Sequence, residues 1–399
     1  MPPVAETRHN PGWLARGAAI LLLLLLAWAA WRVLRNPPAV QDRAEQSLGS
    51  RALPAVTQRQ ARVAIHDSPL DGRGYRVLAQ SMLSQGRKTQ AAAIYSIAAA
   101  RSPRDLQSQA WLVHRALAAG DYPEALSRLD LMLRVQPELS TQLFPVMVLL
   151  ATQPEIQPSL AKILNGRPLW RQDFVRYLVS QAPDSSSVFG LIEGLRHASP
   201  GLSPFELAGW LDRLTYDRRW GAAYLTWVDS LPGTSREHIG NVFNGSFEDE
   251  PSRMGFDWRF ERIPGARITR TQVTGADGML ALLVAFEDRR VPFQNVRQLL
   301  VLTPGEYRLS GRSRLDQLRS DRGLVWTVSC AEDGRTIAET EPFRGQHGWR
   351  AFQLQVIVPP VDCGGQWLTL RLPARIPAEQ RIGGDAWFDA LQVERLAGH

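Results

Sequence analysis

Three prolines, Pro69, Pro103 and Pro137, stand 34 residues apart, and this spacing constrains the first half of the 399-residue chain more than any other feature. Gly86 and Gly120 keep the same spacing, and so do Ala91 and Ala125. A fixed period of this size marks one supersecondary unit that cannot bury its apolar face alone and must stack on copies of itself. Each position has a physical reason. A small Ala lets the second helix of a pair approach the first closely, a Gly permits the turn between them, and a Pro stops the second helix.

The pattern resembles the tetratricopeptide repeat. In the first full repeat Tyr75, Leu78, Ala79, Gly86, Ala91, Tyr95, Ala98 and Pro103 fall on that family's positions. The second matches at Leu112, Gly120, Ala125 and Pro137 but departs at Gln109, where a large apolar residue is expected. A preceding half-repeat, QRQARVAIHDSP, supplies Ala61, Ala64 and Pro69. Beyond residue 138 the signature decays while apolar-faced segments continue, broken by Pro, Gly or Asn. SPFELAGWLDRL has Ser203 as an N-cap, Pro204 at the first helical position and Glu206 three residues after the cap. DRRWGAAYLTWVDSLPG reads as its partner helix. These features predict an all-α solenoid over residues 55–234, whose expected work is docking protein partners; the plainer alternative is a spacer.

From residue 240 the period changes to two. VWTVSC, RTIAET, WRAFQLQVIV and WLTLRL read as strands, with Asp333-Gly334 as a hairpin turn. NGSFE, PGEYRLSGRSR, HGWRAFQLQVIVP and DAWFDALQVERL occur in the order shown by galactose-binding-like jelly rolls, and the segment 240–399 resembles the carbohydrate-binding modules of families 4 and 9. The resemblance implies that NGSFEDEPSRMGFDW, 244–258, is the first strand, with Phe247 inward. It also implies a structural Ca²⁺ held by Glu248 and Asp389, with Asn244 or a nearby carbonyl adding oxygens. Ala390 departs from the family's doubled acid, and two carboxylates fall short of the six to eight oxygens calcium takes. The alternative is that both carboxylates bond backbone amides.

Sugar binding needs exposed aromatic faces and polar neighbours. Trp326, Trp367 and Trp387 alternate with aliphatics and read as core, and Trp349 follows Gly348 as a structural turn. Trp258, flanked by Asp257 and Arg259, is the best ligand candidate, although burial suits it too. The stretch 312–323 reads as an Arg-bearing loop suited to an acidic glycan or a protein.

Residues 12–36 hold an apolar run without a polar side chain from Gly17 to Trp31, and extending it from Leu14 to Leu34 gives 21 residues, roughly 30 Å as helix and enough for a bilayer core, with Arg16 and Arg32 placed to snorkel. It reads as a signal anchor after a short tail (1–11) and before a linker (37–54). A cleaved signal peptide is the competing reading, since Ala27-Trp28-Ala29 fits a cleavage site. Cys330 and Cys363 are the two cysteines; an even pair in an exported domain suggests a disulfide. The expected location is therefore a bacterial inner membrane, single-pass, with the soluble part in the periplasm.

The net charge of +7 forms no basic stripe, which argues against nucleic acid. Seven scattered histidines and the absence of a metal, phosphate or nucleophile motif argue against catalysis. The fold class expected is multidomain: a transmembrane helix, an α-solenoid and an all-β jelly-roll sandwich. The function expected is a non-catalytic envelope scaffold with a glycan-binding β domain, acting in exopolysaccharide or O-antigen assembly or export. A scaffold whose β domain binds no sugar is the alternative, and a polysaccharide-modifying enzyme is the remote one.

Overall fold

The computed structural model describes residues 55–396, helical in its first part and a two-sheet β-sandwich in its second. The expected tail, anchor and linker (1–11, 12–36 and 37–54) lie outside the described residues. Among the described residues no helix is long and apolar enough to cross a membrane. The chain divides into two compact units, ending at Glu206 and beginning at Leu207.

The first unit contains α1 (Ala55–Asp67), α2 (Gly72–Ser84), α3 (Lys88–Arg101), α4 (Leu106–Ala118) and α5 (Tyr122–Val135). These are followed by α6 (Ser140–Ala151), α7 (Gln157–Asn165), α8 (Arg171–Gln181) and α9 (Ser185–Arg196). Consecutive helices α1–α2, α2–α3 and α4–α5 pack on each other. The residues kept at the 34-residue spacing explain how. Gly86 and Gly120 sit at φ +75° and +72°. Each ends its helix with a pair of bonds, Gly86 N to Leu83 O and Arg87 N to Met82 O in the first, Gly120 N to Leu117 O and Asp121 N to Ala116 O in the second. Only a residue without a Cβ takes this left-handed cap without strain.

Ala79, Ala91, Ala98 and Ala125 are wholly buried, and Leu78, Tyr95 and Leu112 join them in the helical core. Tyr95 stacks on Trp111 with ring centroids 4.3 Å apart. Tyr75 lies partly exposed, its hydroxyl donating to Pro69 O. Pro103 and Pro137 follow the last residues of α3 and α5. Gln109, the departure from the repeat pattern, is buried and accepts a bond from Arg128 Nη1 at 3.0 Å. A polar side chain is tolerated there because it has a partner.

Helix α10 (Pro204–Tyr216) starts as its sequence predicts. Glu206 N donates to Ser203 Oγ at 3.3 Å, and Ser203 N donates to Glu206 Oε2 at 2.8 Å. The same carboxylate forms a buried two-pronged pair with Arg171, Nε to Oε1 at 2.8 Å and Nη2 to Oε2 at 3.1 Å.

The second unit begins within α10 and includes α11 (Trp220–Ser230), a difference from the expected solenoid range of 55–234. The reason is aromatic packing. Trp227 lies 5.0 Å from Phe243 and 5.6 Å from Phe256, ring to ring. A Cβ on Gly255 would stand 2.5 Å from the Trp227 ring, and one on Gly364 or Gly365 would stand 2.5 Å or 2.7 Å from Trp220.

Among the described residues the sandwich has ten strands: β1 (Arg259–Phe260), β2 (Ala266–Gln272), β3 (Leu280–Arg290), β4 (Val296–Leu300), β5 (Gly305–Ser320), β6 (Val325–Cys330), β7 (Thr336–Glu339), β8 (Gly345–Val358), β9 (Gln366–Arg371) and β10 (Arg381–Arg395). They form two antiparallel five-stranded sheets, ordered β1-β4-β9-β6-β7 and β2-β3-β10-β5-β8. Between them lies one core that includes Phe247, Trp258, Trp326, Phe388 and Leu368. Cys330 and Cys363 are joined, S–S 2.00 Å. Gly334, at φ +73°, turns the β6–β7 hairpin where Asp333-Gly334 predicts it.

Two expectations are corrected. Residues 244–258 are not a strand: Asn244 and Phe247 have φ +49° and +58°, and pairing starts only at Arg259. Residues 312–320 are not a loop but the second half of β5, with Leu315 and Leu318 both buried in the core on either side of a register shift.

Candidate functional site

The 244–250 segment is held to the last strand without joining the sheet. Leu391 N donates to Gly245 O at 2.9 Å, and a Cβ on Gly245 would come within 1.9 Å of Leu391 O. Phe247 is fully buried, as expected, while Glu248 turns to the β2–β3 loop. Glu248 Oε1 accepts from Met279 N at 2.8 Å and Leu280 N at 2.9 Å. Asp389, fully buried, accepts from Asp277 N through Oδ2 and from Ala390 N through Oδ1. First segment and last strand thus grip one loop, 277–280, from two sides. Burial pushes the Asp389 carboxyl above its ordinary range, against the amides of Asp277 and Ala390 that favour its ionised form.

Glu248 and Asp389 bond backbone amides, the alternative reading given above. Three of the four carboxylate oxygens already accept N–H groups, whose positive ends point where a cation would bind. Asn244 Oδ1 accepts from Asp249 N, and its carbonyl accepts from Trp258 Nε1 and Phe247 N. Among the described residues no group of three or more His, Cys, Asp or Glu is placed to hold a metal.

The ligand candidates around Trp258 are also corrected. Trp258 is fully buried, packed 5.1 Å from Phe247 and 5.8 Å from Trp326. Its NH is spent on the 244 carbonyl, so no ring face is offered to a sugar. Asp257 is buried as well, accepting from Ser252 N, Ser252 Oγ and Trp258 N. Burial pushes its carboxyl up. Arg259 lies 5.2 Å over Trp367 and 3.5 Å from Asp212, a packing role.

The residues suited to a ligand lie instead on the outer face of the β2-β3-β10-β5-β8 sheet. In β10 the motif DAWFDA sends Ala386 and Phe388 into the core, so Asp385 and Trp387 face outward, while Asp389 is buried beneath the loop whose Asp277 N it accepts from. Cross-strand register places Thr269, Leu283, Trp387 and Arg314 in one row. The next row holds Arg267, Ala285, Asp385 and Asp316. Trp387 is half-buried, with the Arg314 guanidinium 5.1 Å from its ring centre. Trp349, also half-buried, carries Arg312 at 5.2 Å and donates to Thr274 O at 3.0 Å.

Asp385 and Asp316 stand directly opposite each other, and neither has an ion-pair partner among the described residues. Like charges so placed cost stability. Stacking rings flanked by free carboxylates and guanidinia can pack an apolar ring face while accepting from and donating to hydroxyl groups. Trp387 reads as core in the sequence because both its neighbours are apolar. The outward signal is the D-x-W spacing of Asp385 and Trp387.

No family model matches the sequence, and no curated protein matches it. Solved structures similar to this chain include carbohydrate-binding modules with a β-sandwich fold. A family 4 module is 14% identical, with 39% of this chain and 99% of that chain covered at TM-score 0.31. A family 61 module in complex with β-1,4-galactotriose is 18% identical, covering 40% and 99% at TM-score 0.28. A Stig cyclase from Fischerella sp. TAU is 13% identical, covering 39% and 97% at TM-score 0.25.

Proposed function

We propose that the protein is a non-catalytic glycan-binding envelope protein, anchored in a bacterial inner membrane by residues 12–36 with its soluble part in the periplasm. The first helices act as tetratricopeptide-like repeats that dock protein partners. The sandwich holds polysaccharide on the outer face of the β2-β3-β10-β5-β8 sheet, in exopolysaccharide or O-antigen assembly or export. The observation that carries the glycan reading is the row Thr269–Leu283–Trp387–Arg314 beside the unpaired Asp385 and Asp316.

Affinity electrophoresis of the protein through gels containing polysaccharide tests it. Retardation that Trp387→Ala abolishes supports the reading, and unretarded migration in every polysaccharide overturns it. A scaffold whose β domain binds no sugar is favoured by one observation, the seating of Trp220 against Gly364 and Gly365, which gives the sandwich a structural use.

A further inference from the structure

We propose that the glycan is acidic, and that an arginine-lined cleft at the edge of the sandwich takes its anionic groups; the proposal rests on the glycan reading above. The cleft, about 590 Å³, opens beside β1 and β2, the strands at one end of each sheet. Phe260, Ile263, Pro264 and Ile268 give it apolar surface. Four arginines line it, Arg253, Arg262, Arg267 and Arg270.

The charges do not cancel. Arg270 is committed, its Nη1 donating to Phe247 O and Glu248 O and its Nη2 pairing with Glu250. Glu261, the other acid in the lining, pairs with Arg297. Arg253, Arg262 and Arg267 are exposed and have no acidic partner among the described residues. Three unneutralised guanidinia beside an apolar wall give a positive potential suited to carboxylate, sulfate or phosphate groups. Arg253 is also held at φ +62°, a conformation disfavoured for a residue with a Cβ.

The cleft is continuous with the tryptophan face. Arg267 and Thr269 line the cleft, and they also head the rows that contain Asp385 and Trp387. Adjacent strands lie about 4.8 Å apart, so a chain lying across the sheet from Arg314 over Trp387 reaches β2 within roughly 15 Å. One saccharide chain can therefore stack on Trp387 and place its acidic substituents among Arg253, Arg262 and Arg267. This continuity favours a polysaccharide over an acidic peptide, for which the tryptophan row has no use.

The test is titration of the full chain with polygalacturonate, its fully methyl-esterified form, dextran and polyglutamate. Polygalacturonate is expected to bind, about tenfold more weakly when NaCl rises from about 50 to 500 mM. Binding should fall about tenfold in Arg262→Gln/Arg267→Gln, and the esterified form should bind no better than that variant. The Arg262 and Arg267 side chains have no hydrogen-bond or ion-pair partner among the described residues, so the variant should melt with the wild type; Arg253→Asn, which suits a left-handed φ, provides an independent second variant. Equal binding of acid and ester, or an unaffected arginine variant, overturns the acidic assignment while Trp387→Ala-sensitive binding upholds the glycan reading. Polyglutamate binding in place of polygalacturonate assigns the cleft to peptide. Failure to bind any of the saccharides overturns both readings.

Discussion

Glu206 does three jobs with one carboxylate: it closes the capping box of α10, neutralises Arg171 and removes both from water. Each partner is only 4% exposed. Burial alone would raise the Glu206 pKa, but the Arg171 bonds and the Ser203 amide outweigh it, and the net direction is down from 4.5. A depressed carboxylate contributes stability that is full above its unfolded value and is lost as pH falls through the folded value. Acid unfolding of the wild type should therefore show a component below pH 4.5 that Glu206→Gln lacks. At neutral pH the same substitution strands the buried guanidinium and should cost about 3–5 kcal/mol in urea unfolding.

Glu248 and Asp389 make a contrasting case. Their partners are amides, so loss of Glu248 Oε1 in Glu248→Ala leaves two N–H groups of the β2–β3 loop without their acceptor, at about 1–3 kcal/mol. For the same reason millimolar calcium or EDTA should leave the melting temperature unchanged; a rise of several degrees with calcium would establish a resident ion and sink this assignment.

At the scale of elements, glycines and tryptophans decide what packs on what. The helix caps at Gly86 and Gly120 and the buried alanines were legible from spacing alone, because a 34-residue period repeats local geometry. The assignment of α11 to the β unit was not, since its helical pattern says nothing about which surface will cover Trp220 and Trp227. Trp227→Ala should remove that anchor at about 3–5 kcal/mol, seen as an earlier unfolding step of residues 207–396. Beside the Trp220 seat, Glu332 accepts from Trp220 Nε1 at 2.9 Å and Gly364 N at 2.8 Å, next to the Cys330–Cys363 bond. The 33-residue separation makes that bond worth about 3–4 kcal/mol by chain entropy. Reduction should lower the melting of this unit and leave the helical unit unchanged, and thiol titration of denatured, unreduced protein should find no free thiol.

At the scale of the whole molecule, two compact units with separate cores imply two unfolding transitions, resolvable by calorimetry. The division of labour proposed above makes a further prediction at this scale. Trp387→Ala should abolish polysaccharide retardation without changing co-purification of partners through the helices. A joint loss of both in that variant would overturn the separation of roles.

By itself the sequence determined the helical first part, the β-sandwich second part, the β6–β7 turn and the cysteine pair. Those features are written in local periodicity, turn chemistry and composition. The tertiary structure alone decided which aromatic side chains face water. Trp258 sits between Asp257 and Arg259 and Trp387 between Ala386 and Phe388, but the first lies between two sheets and the second on the far side of one. A period of two distinguishes faces of a strand without saying which face is covered. Only the packing of the second sheet, and of the segment 244–250 against Leu391, settled that Trp258 is core and that Trp387 fronts the candidate site.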